Sequence, residues 1–268
     1  MIKQIFSDMD GTILNKAGKI NPKTAKFLKN YPIPITLVSA RAPMEMESTI
    51  NELNLTGPQI AFNSGLIFEK TSQGIKKILS NPIPHDLAIK IINFIKEKFP
   101  EATISWYTAE KWNVFKVNKD VEFQVELTKR KYHLQNKIGK EDIYKIMVLD
   151  VDEKITGPLA VSLKEKFSNL VNTKTTGPKY CEITSCNAIK SAGIKYIQQK
   201  YHLQKNELIA FGDGENDIEM LQEVGLSVAM GNAVDNVKRI ATIVTDSNQE
   251  DGIIKALMKL DRPNVFKS

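Results

Sequence analysis

The feature that most constrains this chain is an alternation: short apolar runs of strand length are separated by stretches with helical spacing. IKQIFS (2–7), PITLV (34–38), QIAF (59–62), LIAF (208–211), LSVAM (226–230) and ATIV (241–244) read as strands. Asn21 followed by Pro22 marks a helix start with Asn21 as its cap, and Met46, Ile50 and Leu53 line one helical face. Further helices are expected near 187–201, 215–224 and 249–260. Such alternation predicts an α/β fold on a mainly parallel sheet.

The stretch 82–183 has a different rhythm. Pro82 and Pro84 mark its entrance, and a helix with Leu87, Ile91, Phe94 and Ile95 on one face follows. Strands are expected around Trp106 and Phe115, then a helix near 120–131, a strand at 144–150, a helix ending near Phe167, and strands near 169–173 and 179–184. The simplest organisation is an α/β domain formed by 1–81 and 184–268 and interrupted by a second α/β module at 82–183. No solenoid-type repeat or low-complexity tract argues otherwise.

Composition excludes several function classes. The net charge of +6 is spread evenly, with 17 Lys and Arg against 14 acids in 82–183 and 20 against 17 elsewhere. Nucleic-acid binding needs a concentrated basic stripe, so no nucleic-acid partner is expected, only a mild bias towards anionic substrates. No run approaches the roughly 18 apolar residues of a membrane span, and MIKQIFSDMDG introduces acids before a leader's apolar region could form. The expectation is a cytoplasmic protein with no membrane partner. Two cysteines, Cys181 and Cys186, make neither a disulfide scaffold nor a zinc site and are expected to be buried thiols.

The chemistry begins where the first strand ends, at Asp8-Met9-Asp10-Gly11-Thr12. Open α/β sheets bind ligands at the carboxyl ends of their strands, and two carboxylates two residues apart suit such a loop. A calcium loop counted from Asp8 would need an acid or Asn, a Gly and a Glu where this chain has Thr12, Ile13 and Lys19, so that reading fails. A second acidic cluster, Gly212-Asp213-Gly214-Glu215-Asn216-Asp217, follows the strand LIAF. It starts like a dinucleotide fingerprint but has Asp217 where the third glycine belongs. Each cluster alone reads equally as a solvated acidic turn. Together they hold enough carboxylate for a hard divalent ion. VSAR (38–41) adds the Ser39 hydroxyl, free backbone N–H groups and Arg41, and Lys190 lies in the first turn of a later helix.

At these residues the sequence resembles the haloacid dehalogenase superfamily, and within it the Cof-type, sugar-phosphatase-like branch. Asp8 to Thr12 resemble the first motif of that family, Ser39 the second, Lys190 the third and Gly212 to Asp217 the fourth. The turn Asn63-Ser64-Gly65 is similar to an element that faces the phosphate, with Ser64 in place of the usual glycine, and Ser39-Ala40-Arg41 stands where Thr-Gly-Arg is common. The resemblance implies a Rossmann-like core with an inserted α/β cap at about 82–183.

It also implies a magnesium-dependent phosphatase acting on small phosphorylated metabolites, sugar phosphates first among them. Asp8 would be the nucleophile and Asp10 the general acid and base. Asp8, Asp213 and the backbone carbonyl of Asp10 would hold Mg2+. Ser39, Lys190, Asn216 and the N–H groups of Met9 and Ala40 would cradle the phosphoryl group, and Asp217 would orient Lys190 or metal-bound water. Arg41 and Asn63 would support the site or touch the substrate. The cap would act as a lid and carry specificity, with Trp106, Tyr107, Trp112, Phe115, Lys179, Tyr180 and Glu182 open to either substrate contact or packing. A phosphotransferase or phosphomutase on the same scaffold, and a non-catalytic binder of metal or phosphorylated ligand, are the alternatives. The sequence sets no oligomeric state.

Overall fold

The computed structural model describes residues 1–260. Residues 261–268 of the expected second core segment lie outside the described residues. Along the chain run β1 (Gln4–Ser7), α1 (Pro22–Lys29), β2 (Ile35–Leu37), α2 (Pro43–Glu52), β3 (Gln59–Ala61), β4 (Leu66–Thr71) and β5 (Gly74–Ser80). Then come α3 (His85–Lys98), β6 (Thr103–Tyr107), β7 (Trp112–Val114), α4 (Lys119–Thr128), β8 (His133–Leu134), β9 (Lys145–Leu149), α5 (Thr156–Phe167), β10 (Val171–Thr176) and β11 (Tyr180–Ser185). The chain closes with α6 (Lys190–Lys200), β12 (Leu208–Gly212), α7 (Ile218–Gln222), β13 (Leu226–Ala229), α8 (Asp235–Ile240), β14 (Ile243–Val244) and α9 (Gly252–Leu260).

Two compact units divide these elements. One holds residues 1–41, 45–78 and the chain from Ile189 onward; the other holds 79–188 with Ala42–Met44. The sequence-based limits 82 and 183 fall inside the second unit.

The first unit is built on a five-stranded sheet in the order β14-β13-β12-β1-β2, every pair parallel. Its central strands are buried along their whole length, which explains their unbroken apolar runs. From β1 the chain moves outward to β2 on one side, whereas β12, β13 and β14 fill the other side. The strand order therefore reverses between β1 and β12, and such a switch point opens a crevice at the carboxyl ends of the strands. A smaller sheet, β3-β4-β5, adjoins it, with β3 and β4 antiparallel. α7 packs on β12 and β13 and also meets α6.

The second unit is a six-stranded sheet in the order β10-β11-β9-β6-β7-β8, antiparallel except for the β7–β8 pair. Ile104, Trp106, Ile146, Val148, Cys181 and Ile183 alternate onto one face, where they form a core with Ile91, Ile92 and Ile95 of α3 and with Leu159 and Leu163 of α5. The chain thus has the expected fold class, a Rossmann-like core with an inserted α/β unit.

Met46, Ile50 and Leu53 are buried, as their helical spacing predicts. Two local expectations are corrected. Asn21 stands at the N-cap position of α1 but caps nothing: its Oδ1 accepts from Asn15 Nδ2 at 2.9 Å and its Nδ2 donates to Asn248 O at 3.0 Å, so tertiary partners outcompete the helix end. Cys181 is buried in the strand β11, but Cys186 is exposed because it lies past the strand's end. Among the described residues no helix is long and apolar enough to cross a membrane.

Candidate active site

β1 delivers Asp8 and β12 delivers Asp213 to the carboxyl edge of the sheet, on either side of the switch point. Gly11 makes their approach possible. Its φ of +78° is open to glycine, and a Cβ there would overlap the Asp213 carboxylate. Thr12 Oγ1 then donates to Asp213 Oδ1 at 2.7 Å, and Asn232 Nδ2 donates to Gly11 O at 2.8 Å.

Lys190, buried at the start of α6, joins the two acidic segments. Its Nζ donates to Asp8 Oδ1 and, at 2.6 Å, to Asp217 Oδ1. The other oxygen of Asp217 accepts the N–H groups of Asp213 at 2.9 Å and Gly214 at 3.0 Å, so Asp217 holds both the lysine and the loop that bears Asp213. Gly212 has room for no side chain, since a Cβ would sit 2.6 Å from that of Asp217.

The electrostatics follow from burial. Desolvation pushes the Asp8 carboxyl up to about 8 although the Lys190 ammonium pulls it the other way. Burial alone would push Lys190 down, but the charges of Asp8 and Asp217 outweigh it and hold the ammonium above its ordinary value. Asp8 and Lys190 form one shared pair, and the two carboxylates facing the ammonium keep it charged. Desolvation likewise raises Asp213 to about 6, with the Thr12 hydroxyl opposing and Asp217 reinforcing.

Oxygen atoms of Asp8, Asp213 and Asp217 come within 4.8 Å of one another. With Asp217 committed to Lys190 and two amides, Asp8 and Asp213 are the carboxylates of this group that could hold a cation. Two acids that burial drives towards protonation, converging with oxygen donors only, fit a hard divalent ion such as Mg2+. The carboxylate of Asp10 lies outside this group. It is exposed and accepts two bonds from Arg41, whose Nη1 also reaches Glu45 O at 3.4 Å.

Beside Asp8, Ser39 is buried and its Oγ accepts the Arg41 N–H at 3.2 Å. The N–H groups of Met9 and Ala40 donate to no other described residue. Asn63 packs against this loop: its N–H donates to Ser39 O at 2.8 Å, and its buried Oδ1 has no hydrogen-bond partner among the described residues. Phe62, Asn63 and Ser64 all have positive φ, at 51°, 54° and 80°. For Phe62 and Ser64 this costs about 1–2 kcal/mol each, whereas Asn63 is of a type that enters this region more readily. Asn216 is exposed beside Gly214.

In the second unit, Trp106 belongs to the core and Phe115 packs on it with ring centroids 4.5 Å apart, while the buried rings of Tyr107 and Trp112 stack at 6.3 Å. Tyr180 Oη donates to Gln124 Oε1 at 2.9 Å, Glu182 pairs with Lys145 at 3.0 Å, and Lys179 lies 3.8 Å from Glu153. The sequence reading places Thr12 only within the first motif and Ser64 only within the phosphate-facing turn, and it does not reach Asn232. Asn232 follows β13, the neighbour of β12, so the rule that sites form at strand carboxyl ends could have flagged it.

A profile of the haloacid dehalogenase-like hydrolases matches residues 5–257. The chain belongs to that family. It is 33% identical to a Haemophilus influenzae protein named provisionally as a phosphatase, over 94% of this chain and 96% of the relative. It is 26% identical to 5-amino-6-(5-phospho-D-ribitylamino)uracil phosphatase YcsE of Bacillus subtilis, over 96% and 94%. The structure of TM0651 from Thermotoga maritima superposes with a TM-score of 0.88 at 26% identity, covering 98% of this chain and 99% of that one. The family member described here is a Cof-type phosphatase, a hydrolase of phosphoric monoesters.

Proposed function

We propose that the enzyme hydrolyses small phosphate monoesters in two displacements, with Asp8 as nucleophile and magnesium as cofactor. The observation that carries this reading is the buried Lys190 ammonium bridging Asp8 and Asp217, which holds a carboxylate and a positive charge side by side at the mouth of the switch point. Asp8, Asp213 and the backbone carbonyl of Asp10 would hold Mg2+, which when bound offsets the repulsion between an anionic nucleophile and an anionic ester.

In the first displacement an Asp8 oxygen attacks phosphorus, the bond to the ester oxygen breaks, and Asp10 gives its proton to the leaving alkoxide. In the second, water attacks the aspartyl-phosphate, Asp10 takes the water's proton, and inorganic phosphate leaves with Asp8 restored. Lys190, Ser39, Asn216 and the N–H groups of Met9 and Ala40 would hold the transferring group, because phosphoryl transfer is mainly a problem of charge and position. Asp217 keeps Lys190 in place, Arg41 aims Asp10, and Asn63, whose Oδ1 lacks a partner among the described residues, is the proposed substrate contact in the turn.

Sugar phosphates and related metabolites are the proposed substrates. The ester named for the Bacillus subtilis relative, a phosphorylated ribitylamino-pyrimidine, belongs in the first panel. Discrimination among leaving groups is assigned to the inserted segment 82–183. Hydrolysis of p-nitrophenyl phosphate after exhaustive dialysis against EDTA, with and without added magnesium, tests the reading. Magnesium should restore turnover to the wild type and not to Asp8→Asn; steady turnover by that variant would overturn the nucleophile assignment.

A further inference from the structure

Helix α6 begins behind Ile189, whose aliphatic side chain caps none of the free amides of the first turn. The Ala192 N–H donates to Ile189 O at 3.1 Å. The next amide, that of Gly193, donates across the fold to Ser64 Oγ at 3.0 Å, and the same hydroxyl donates to Lys190 O at 3.4 Å. A fully buried serine from a distant turn therefore supplies the cap that Ile189 lacks. Gly193 permits the approach: a Cβ there would lie 2.5 Å from Ser64 Oγ and 2.8 Å from Ile60 Cδ1.

Ser64 holds this place at φ +80°, a conformation that glycine adopts without steric cost and serine does not. The strained turn is bonded on its other side to the loop after β2, through Phe62 N–H to Arg41 O at 3.0 Å and Asn63 N–H to Ser39 O at 2.8 Å. One turn thus clasps two segments, the Ser39–Arg41 loop and the helix start that presents Lys190.

We infer that Ser64 is a positioning residue for Lys190: its hydroxyl ties the first turn of α6 to the 62–64 turn, so that the ammonium beside Asp8 and the hydroxyl of Ser39 keep one spacing. This rests on the phosphatase reading above and adds a residue that touches neither substrate nor metal. Loss of the tie lets the helix start drift, and small misplacements slow a reaction that depends on position.

Ser64→Gly and Ser64→Ala in the full chain test it. Glycine accepts the positive φ, so that variant folds and separates the hydroxyl from the backbone. Both variants should lose kcat on p-nitrophenyl phosphate by about 3–10-fold, the scale of one net hydrogen bond, with a similar weakening of inhibition by inorganic phosphate. Amide exchange in a peptide covering 189–195 should quicken in both, while Ser64→Gly melts no lower than Ser64→Ala. Unchanged kinetics and phosphate inhibition in Ser64→Gly, whether or not its Tm moves, would overturn the inference, as would unchanged exchange at 189–195. Were the wild type to turn over no ester, the fault would lie with the phosphatase reading. The Tm shift induced by inorganic phosphate then decides the inference: a smaller shift in Ser64→Gly supports it, and an equal one overturns it.

Discussion

Arg41 grips Asp10 with two arms of its guanidinium, Nε on Oδ2 at 2.8 Å and Nη2 on Oδ1 at 2.5 Å. Asp10 is otherwise exposed, so this fork is what aims its carboxyl. Lysine has the charge but not the fork. We expect Arg41→Lys to lower kcat by about 10-fold with little change in Mg2+ affinity, read from steady-state kinetics at several magnesium concentrations. An unaltered kcat would remove Arg41 from the aiming role.

Asp10→Asn keeps size and backbone but cannot transfer a proton. Turnover should fall by roughly 10²–10⁴-fold, in kcat more than in KM. Single-turnover formation of the aspartyl-phosphate should be impaired less for p-nitrophenyl phosphate, whose leaving group needs little protonation, than for an alkyl ester. Equal impairment on both would show that Asp10 is not the general acid.

Gly11→Ala combines a disfavoured φ with a Cβ driven into the Asp213 carboxylate. The chain should fold, since the collision is local to the loop, yet Mg2+ affinity should drop about 10-fold or more. Isothermal titration with magnesium, set beside an unchanged circular dichroism spectrum, would check this; wild-type affinity would contradict the close approach.

Burial raises Asp8 to about 8 and Asp213 to about 6 in the absence of metal, above their ordinary carboxylate value. A group raised in the folded state stabilises it below the unfolded pKa, near 4, and that stability is lost as pH rises through the folded value. The Tm of EDTA-treated protein should therefore carry a downward component between about pH 4 and 8, and Asp213→Asn should remove the part that falls between about pH 4 and 6. Magnesium competes with these protons, so its stabilisation should grow over the same range. A Tm gain from magnesium that is larger at pH 5 than at pH 8 would contradict it.

Burial pushes the Cys181 thiol up to about 12, and the residue has no solvent exposure. Cys186 is exposed. A thiol-reactive dye at pH 8 should label one site in the native protein and two in denaturant, and Cys186→Ser should abolish native labelling.

Much of this was legible in the sequence because parallel strands buried on both faces announce themselves as apolar runs, and the acids at their carboxyl ends follow directly. The β4–β5 pair was not, since Glu69, Lys70, Lys76 and Lys77 interrupt the apolar runs, and β5 has no buried residue to mark it as a strand. The helix near 215–224 shortened to α7 behind a 3₁₀ turn at Glu215–Asp217, where Asp217 spends its carboxylate on the loop amides. The bonds made by Ser64 and Asn232 were hidden for another reason, although the turn that holds Ser64 and the strand end before Asn232 could be located. The worth of both residues lies in what they meet across the fold, Gly193 in one case and Gly11 in the other, and neither meeting has a local signature.

The order of strands in the first unit also fixes when the site can come into being. β1 finds its neighbour β12 only by bringing Gln4 beside Leu208, across the entire inserted unit. The insert's own pairings, such as β10 with β11 and β6 with β7, join residues close in sequence and cost less loop entropy to close. The insert can thus be structured while Asp8 and Asp213 are still far apart, and a growing chain carries Asp8 without its partner acids until its last third has been made.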